Sequence, residues 1–258
     1  MFHTKLASGL LALTLSVPFA HAQPVAPATT TVKVSADAVD PDSVEALKRM
    51  GTYLQSLKRF QVTIHLSSEK VLLDEQKLQR STSATLQVLR PNKLKATMSS
   101  AVSERELFYD GKHATLYTPA MKYYGTTEAA DTIGGMIDQL EARYGVELPL
   151  ADLFLWGTPA APIDQIESAM NAGQSVVAGV LCDHYAFRQG KVDWQIWISA
   201  GNQPLPRKIV ITNRRDDARP QSISLLSWDL KPAFKDTVFI FTPPKGAISV
   251  GIRPLDAK

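Results

Sequence analysis

Phe60-Gln61-Val62-Thr63-Ile64-His65-Leu66-Ser67 sets an apolar residue at every second position and a polar one between. Side chains alternate across a strand, so this stretch has one dry face and one wet face. The pattern returns at once. Ala84, Leu86 and Val88 alternate with Thr85 and Gln87, and Leu94, Ala96 and Met98 with Lys93, Lys95 and Thr97. Leu107 and Tyr109 lead into Asp110-Gly111, whose tolerance of positive φ suits a hairpin, and Ala114 and Leu116 follow. A row of half-dry strands joined by short turns is an antiparallel meander.

The same period governs the second half. Val176, Val177 and Val180 give one strand. Cys182, His184, Ala186 and Arg188 share one face of the next, opposite Tyr185 and Phe187. Val192, Trp194, Ile196 and Ile198 alternate with Asp193, Gln195 and Trp197. Ile209–Thr212, Ile223–Trp228 and Val238–Phe241 bring the expected count to about ten or eleven strands.

Two stretches change to helical spacing. Asp40-Pro41 is a good helix start, and Val44, Leu47, Met50, Leu54 and Leu57 form a stripe that ends before Phe60. Ile133, Met136, Ile137, Leu140 and Tyr144 form a second stripe, with Gly145 placed as its C-terminal cap. Pro149–Trp156 is apolar nearly throughout, and Ile163–Met170 reads as a third short helix closed by Gly173. The expected fold is therefore mainly antiparallel β (α+β). It is a curved, half-open β-barrel with helices over its concave face, including a lid insert at 131–171. A β-sandwich is the alternative.

The ends bound the cellular destination. Lys5, the apolar run Leu6–Ala20 and the small-x-small triplet Ala20-His21-Ala22 spell a secretory signal peptide, with the cut expected after Ala22. Residues 1–22 are then the signal, 23–39 a flexible leader and 40–258 a single domain, delivered to the periplasm. No later apolar run approaches the roughly 20 residues of a spanning helix, so the chain is expected not to span the membrane. Setting Lys5 aside leaves 27 of the 28 Lys and Arg against 25 Asp and Glu. That near balance, without a basic block, argues against nucleic acid as a partner. Cys182 is the sole cysteine, so no internal disulfide exists and the core must hold the fold.

Several segments carry a family resemblance. Val238-Phe239-Ile240-Phe241-Thr242-Pro243-Pro244-Lys245-Gly246-Ala247 resembles the C-terminal strand of the outer-membrane lipoprotein carrier fold (LolA/LolB-like). Leu107–Lys112, Leu116–Pro119, Lys122–Tyr124, Leu148–Phe154, Cys182–Gln189, Val192–Ile198 and Pro204–Lys208 resemble a family of predicted periplasmic proteins of unknown function. The resemblance spans roughly Asp40 to Gly251. It implies an open β-barrel with helices plugging its concave face, and no catalytic residues to carry over. Lacking a lipid-anchor cysteine, the chain is similar to the soluble carrier rather than the anchored receptor.

Candidate sites follow. Met136, Ile137, Leu140, Leu153, Phe154, Trp156, Trp194 and Ile196, with Tyr123 and Tyr124 at the rim, are candidates for an apolar cavity under the lid. The same spacings equally describe an ordinary filled core. Gly134-Gly135 weakens its helix and favours a mobile lid. Cys182 and His184 share a strand face. Only His65 and His113 remain beside them after the signal, too few ligands for a zinc site. Asn213–Asp217 reads as a charged hairpin turn with local ion pairs. Glu104, Glu106, Asp110 and Asp183 are acids near strand ends whose separation the sequence does not give. No nucleophile elbow, P-loop or dinucleotide fingerprint is present, so no cofactor is expected and an enzyme is the weakest class. The expected function is a carrier or binding protein for an acyl chain, a lipoprotein or another apolar envelope ligand. The alternative is an envelope protein–protein module that acts by strand addition.

Overall fold

The computed structural model describes residues 38–146, 148 and 150–255. The expected signal peptide, and the leader apart from Ala38 and Val39, lie outside the described residues. Helix α1 (Pro41–Ser56) starts as its sequence dictates. Asp40 caps it, accepting from the backbone N–H groups of Asp42 at 3.3 Å and Ser43 at 3.2 Å, with proline at the first turn. The Ser43 hydroxyl also donates to this carboxylate and holds its pKa below the usual carboxylate value. Ala46, Leu47, Met50, Gly51 and Leu54 form the buried stripe.

A first meander follows: β1 (Arg59–Val71), β2 (Lys77–Leu89), β3 (Lys93–Ser100), β4 (Glu104–Tyr109), β5 (His113–Thr118) and β6 (Tyr123–Glu128). Helix α2 (Ile133–Tyr144) and two short 3₁₀ turns, Ala151–Phe154 and Ile163–Gln165, interrupt the strands. A second meander comprises β7 (Ile166–Val177), β8 (Val180–Gln189), β9 (Val192–Ser199), β10 (Pro206–Asn213) and β11 (Gln221–Asp229). The two meanders join where β11 pairs with β1, Leu226 opposite Ile64. A two-residue β12 (Ile248–Ser249) adds in parallel to β6. The result is one open twelve-stranded sheet in the order β12-β6-β5-β4-β3-β2-β1-β11-β10-β9-β8-β7, antiparallel except at β12. A single sheet sets the sandwich alternative aside.

Register explains the core. Cross-strand partners share a face, so Val62, Leu86, Ala96, Leu107 and Leu116 form one inner row. Val88, Leu94, Tyr109 and Ala114 form the next. All but the half-buried Leu116 are buried, and α1 and α2 contribute Leu47, Met50, Leu54, Met136 and Leu140 to the same cluster. Gly145, at φ +63°, ends α2 in the left-handed conformation, its N–H donating to the Glu141 carbonyl. Tyr109 buries its ring completely and donates its hydroxyl to the Ala130 carbonyl, fixing the approach to α2. Burial, then the nearby Asp131 and Asp110, push that phenol up to about 12.

Four expectations need correction. Val176, Val177 and Val180 do not share one strand: β7 ends at Val177, the chain turns at Ala178 (φ +47°) and Gly179 (φ +80°), and Val180 opens β8. Ile163–Met170 is not a helix: the 3₁₀ turn stops at Gln165 and β7 begins at Ile166. Two β-bulges, between Ile166 and Ser168 and between Asn171 and Gly173, break the two-residue period and mimic helical spacing. Gly173 sits at the second bulge with φ +95° rather than closing a helix. The insert accordingly ends at Gln165, short of 171. Val238–Phe241 pairs with no strand; Asp236–Phe239 is a 3₁₀ turn. Its alternation is real, because Phe239 is buried while Ile240 is 58% exposed, but the segment packs across the sheet instead of joining it. The twelfth strand is the short β12, which has too few residues to show a period.

The C-terminal tail straps the sheet. Arg59 holds its start, donating to the Phe234 carbonyl at 2.9 Å and pairing with Asp236. Phe241 then packs on the outer-face rings of Phe108, Tyr117 and Tyr124, with centroids 5.0–5.4 Å apart. After β12, Ile252 reaches Gly125, where an added Cβ would stand 2.5 Å from its side chain. Truncating Leu107 to Ala is expected to cost about 2–5 kcal/mol in urea unfolding, as for a buried Leu in a packed row. Truncating the exposed Val102 to Ala is expected to cost less than about 0.5 kcal/mol.

Candidate functional site

Above β9 and β10 the helical cover leaves a gap. A cavity of about 330 Å³ lies there, with Val192, Trp194, Ile209 and Ile211 as its floor and Leu150, Leu153 and Trp156 as its roof. Asp152, Gln165 and Gln189 supply its polar atoms. The floor follows from register, since Trp194 opposes Ile211 across the β9–β10 pair and Ile196 opposes Ile209. Trp194 stacks on Phe187 of β8 with centroids 4.2 Å apart, and Trp156 descends from the roof to 5.9 Å from it. One aromatic contact thus joins roof to floor.

The roof is tied to α1 at two points. Gln55 donates through its side-chain amide to the Trp156 carbonyl at 2.7 Å and the Phe154 carbonyl at 3.2 Å. Gly51 and Gly157 meet backbone to backbone. A Cβ on Gly51 would lie 2.4 Å from the Gly157 nitrogen, and one on Gly157 would lie 2.4 Å from the Gly51 carbonyl oxygen. Gly157 also needs φ +81°. Asp152 meets solvent at the cavity mouth, yet the surrounding walls push its carboxyl pKa above the ordinary value by burial.

Comparison with known proteins adds the family. The DUF2092 profile, described as predicted periplasmic protein, matches residues 43–253. The chain belongs to the DUF2092 family. That membership agrees with the export read from the N-terminus and with the periplasm as destination. No curated protein matches the DUF2092 chain in sequence. Similar solved structures include LppX from Mycobacterium tuberculosis, at 10% identity and TM-score 0.47, covering 76% of this chain and 98% of that one. LprF from Mycobacterium bovis has 13% identity and TM-score 0.45, covering 81% and 99%. A LolA superfamily protein from Nitrosomonas europaea has 9% identity and TM-score 0.39, covering 77% and 97%.

The structure distributes the ten cavity candidates of this DUF2092 chain unevenly. Leu153, Trp156 and Trp194 line the cavity. Ile196 lies beside it in the floor, fully packed. Met136, Ile137 and Leu140 are buried core residues of α2 outside its lining. Phe154 turns to the other side of the roof, under the Arg90 guanidinium at 5.8 Å. Tyr123 and Tyr124 do not form a rim together. They are neighbours on β6 and point to opposite faces, so Tyr124 meets Phe241 on the outer face while Tyr123, 44% exposed, sits at the β12 edge. Ile209 and Ile211 were recognisable as one strand face. Asp152, Gln165 and Gln189 carried no periodic signal.

The other candidates fall apart chemically. Cys182 is buried on the outer face, and burial pushes its thiol pKa up. Its sulfur contacts the Val180 carbonyl at 3.4 Å, not His184. His184 stacks flat on Trp197, centroids 3.9 Å apart, and its Nε2 meets Gln195 Oε1 at 2.9 Å. Burial lowers its pKa, so neither side chain is poised to activate the other. Glu106 pairs with Lys95 at 3.3 Å, Asp110 caps its own turn, and Asp183 accepts from Gln174 at 2.7 Å. In the 213–217 turn, Asn213 and Asp216 accept from backbone two residues on, at 2.9 and 3.0 Å. Among the described residues no three His, Cys, Asp or Glu side chains gather as metal ligands.

Two outcomes follow. Gly157→Ala is expected to lower stability by about 1–3 kcal/mol from backbone strain, and to speed hydrogen exchange in 150–158 ahead of the sheet. Asp152→Asn is expected to raise the melting temperature at neutral pH, because it removes a charge that burial disfavours. The raised folded pKa means this gain shrinks as pH falls through it and vanishes below the unfolded value of 3.8. A melting-temperature difference independent of pH would contradict that origin.

Proposed function

We propose that the protein is a periplasmic binding or carrier protein for an apolar ligand, an acyl chain or a lipid-modified protein, held between the sheet and the 150–165 segment. The observation that carries this reading is the cavity itself. It is an apolar space of about 330 Å³ whose floor is rigid sheet and whose roof lacks regular structure beyond two 3₁₀ turns. Its size is at the small end for ligand sites, which run from roughly 300 to 1,000 Å³. A short chain fits it as it stands, and a longer one needs the roof to lift. Each buried methylene contributes about 0.8 kcal/mol, so several methylenes outweigh the Trp156–Trp194 contact and the two Gln55 hydrogen bonds that hold the roof.

A second reading is favoured by the β7 edge. Ala169 already exchanges backbone hydrogen bonds with the chain at Ala38 and Asp40, at 3.2 and 3.0 Å, so this edge accepts a strand. Beyond it, 171–177 (Asn-Ala-Gly-Gln-Ser-Val-Val) carries no charge to repel another one. An envelope protein would add there by strand pairing.

Quenching of tryptophan fluorescence by a spin-labelled fatty acid separates the two. Trp156 and Trp194 line the cavity, so the first reading expects saturable quenching that drops at least tenfold in affinity in Leu153→Gln. Native mass spectrometry that stays at the apo mass when fatty acid and lipopeptide are offered would sink it and leave the edge reading ahead.

A further inference from the structure

A second cavity lies on the other side of the roof, and two cationic side chains reach its apolar lining. It occupies about 550 Å³ between the end of α1, the end of β2, the first turn of α2 and 154–160. Lys58 and Arg90 line it, with Asp138 as the one acid. Among the described residues neither cation is in an ion pair. The Arg90 Nε is buried without any hydrogen-bond acceptor, the one such buried side-chain atom among the described residues. A buried charged donor without an acceptor is costly, and native structures rarely keep one without a use.

The backbone points the same way. Thr132 caps α2 by accepting from the Gly135 N–H at 3.1 Å, and the Ile133 N–H donates to the Pro91 carbonyl at 3.4 Å. The Gly134 N–H between them has no acceptor among the described residues. Glycine there costs helix stability, and packing does not require it, because a Cβ on Gly134 would meet nothing within 4 Å. A bare N-terminal turn does let an anion approach its N–H groups.

We propose that this cavity binds a phosphate-type oxyanion, held by the Arg90 guanidinium, the Lys58 ammonium and the Gly134 N–H. Arg90 supplies planar, directional donors and Lys58 a mobile charge, the pairing that suits a phosphoryl group. The site stands independently of the apolar cavity. The two share only the roof, with Phe154 and Leu155 on this side and Leu153 and Trp156 on the other. The oxyanion has two sources, free phosphate or the phosphodiester of a lipid head group.

Titrating the mature protein with inorganic phosphate, and separately with dihexanoyl-phosphatidylglycerol below its micelle concentration, tests this at constant ionic strength. Amide NMR shifts localise the binding. The expected result is one saturable site that moves the Gly134 and Gly135 amides and weakens at least tenfold in Arg90→Gln and several-fold in Lys58→Gln. Lys58 is exposed, so its variant tests the site even if Arg90→Gln fails to fold. Binding by inorganic phosphate assigns the free anion, and binding by the phospholipid alone assigns the head group. Leu153→Gln is expected to leave phosphate binding unchanged, which keeps this result separate from the apolar-ligand reading. No saturable shift with either probe, or shifts that both cation variants leave intact, would overturn the proposal.

Discussion

Everything in this molecule answers to one constraint: a single open sheet has packed the middle of one face with apolar side chains and must cover it. Val62, Ile64, Leu86, Leu94, Ala96 and Leu107 are inner-face residues with no contact to water. Among the described residues no second sheet is available to bury them, and the sheet does not close on itself, since β7 and β12 remain its edges. The hydrophobic effect then assigns the job to whatever the chain has outside the strands. That is α1, α2 and the irregular 150–165 stretch. The helices meet it well, because a buried stripe on a helix matches a flat apolar row. The irregular stretch meets it less completely, and the shortfall is the cavity over β9 and β10.

The cover is therefore not uniform, and the difference is visible in its attachments. α2 is sealed by a side-chain cap at Thr132, a left-handed glycine at Gly145 and four buried apolar side chains between. The roof segment relies on Gln55, on the Gly51–Gly157 approach and on Trp156 reaching Trp194. Regions with few packed contacts open at lower free energy than the sheet beneath them. A binding site needs such a region next to a rigid one, and this fold supplies both along the same row of residues.

The strands were legible because alternation survives wherever the ladder is regular. It made β1 to β5 and β8 to β11 readable from Phe60, Leu94 or Trp194 outward. It failed where geometry breaks the period. The bulges in β7 turned Ile166, Ala169 and Met170 into an apparent helix, and the tail kept an alternating pattern at Phe239 and Phe241 while packing across the sheet. The cavity was half legible. Trp194 and Leu153 could be named because apolar residues near a predicted cover attract attention. Tyr124 was misjudged because two adjacent strand residues cannot share a face. Asp152 and Arg90 gave no signal, since their importance comes from what surrounds them rather than from any spacing.

The two edges of the sheet show how differently the same problem can be met. At β6 the chain spends its own C-terminus: β12 pairs in parallel, the Val250 N–H donates to the Tyr124 carbonyl at 2.8 Å, and Ile252 fills the space over Gly125. The Leu255 N–H then reaches the Arg143 carbonyl at 2.9 Å, so the strap also fastens the end of α2. At β7 the cover is a single bridge at Ala169, and 171–177 continues past it. An uncharged, proline-free stretch of edge strand such as 171–177 is a hazard that proteins normally blunt. The bulge at Asn171 and Gly173 twists this one, which limits indiscriminate pairing while leaving its N–H and C=O groups available. The strapped edge fastens α2 to the sheet, whereas roof, cavity and open edge lie together in the other half.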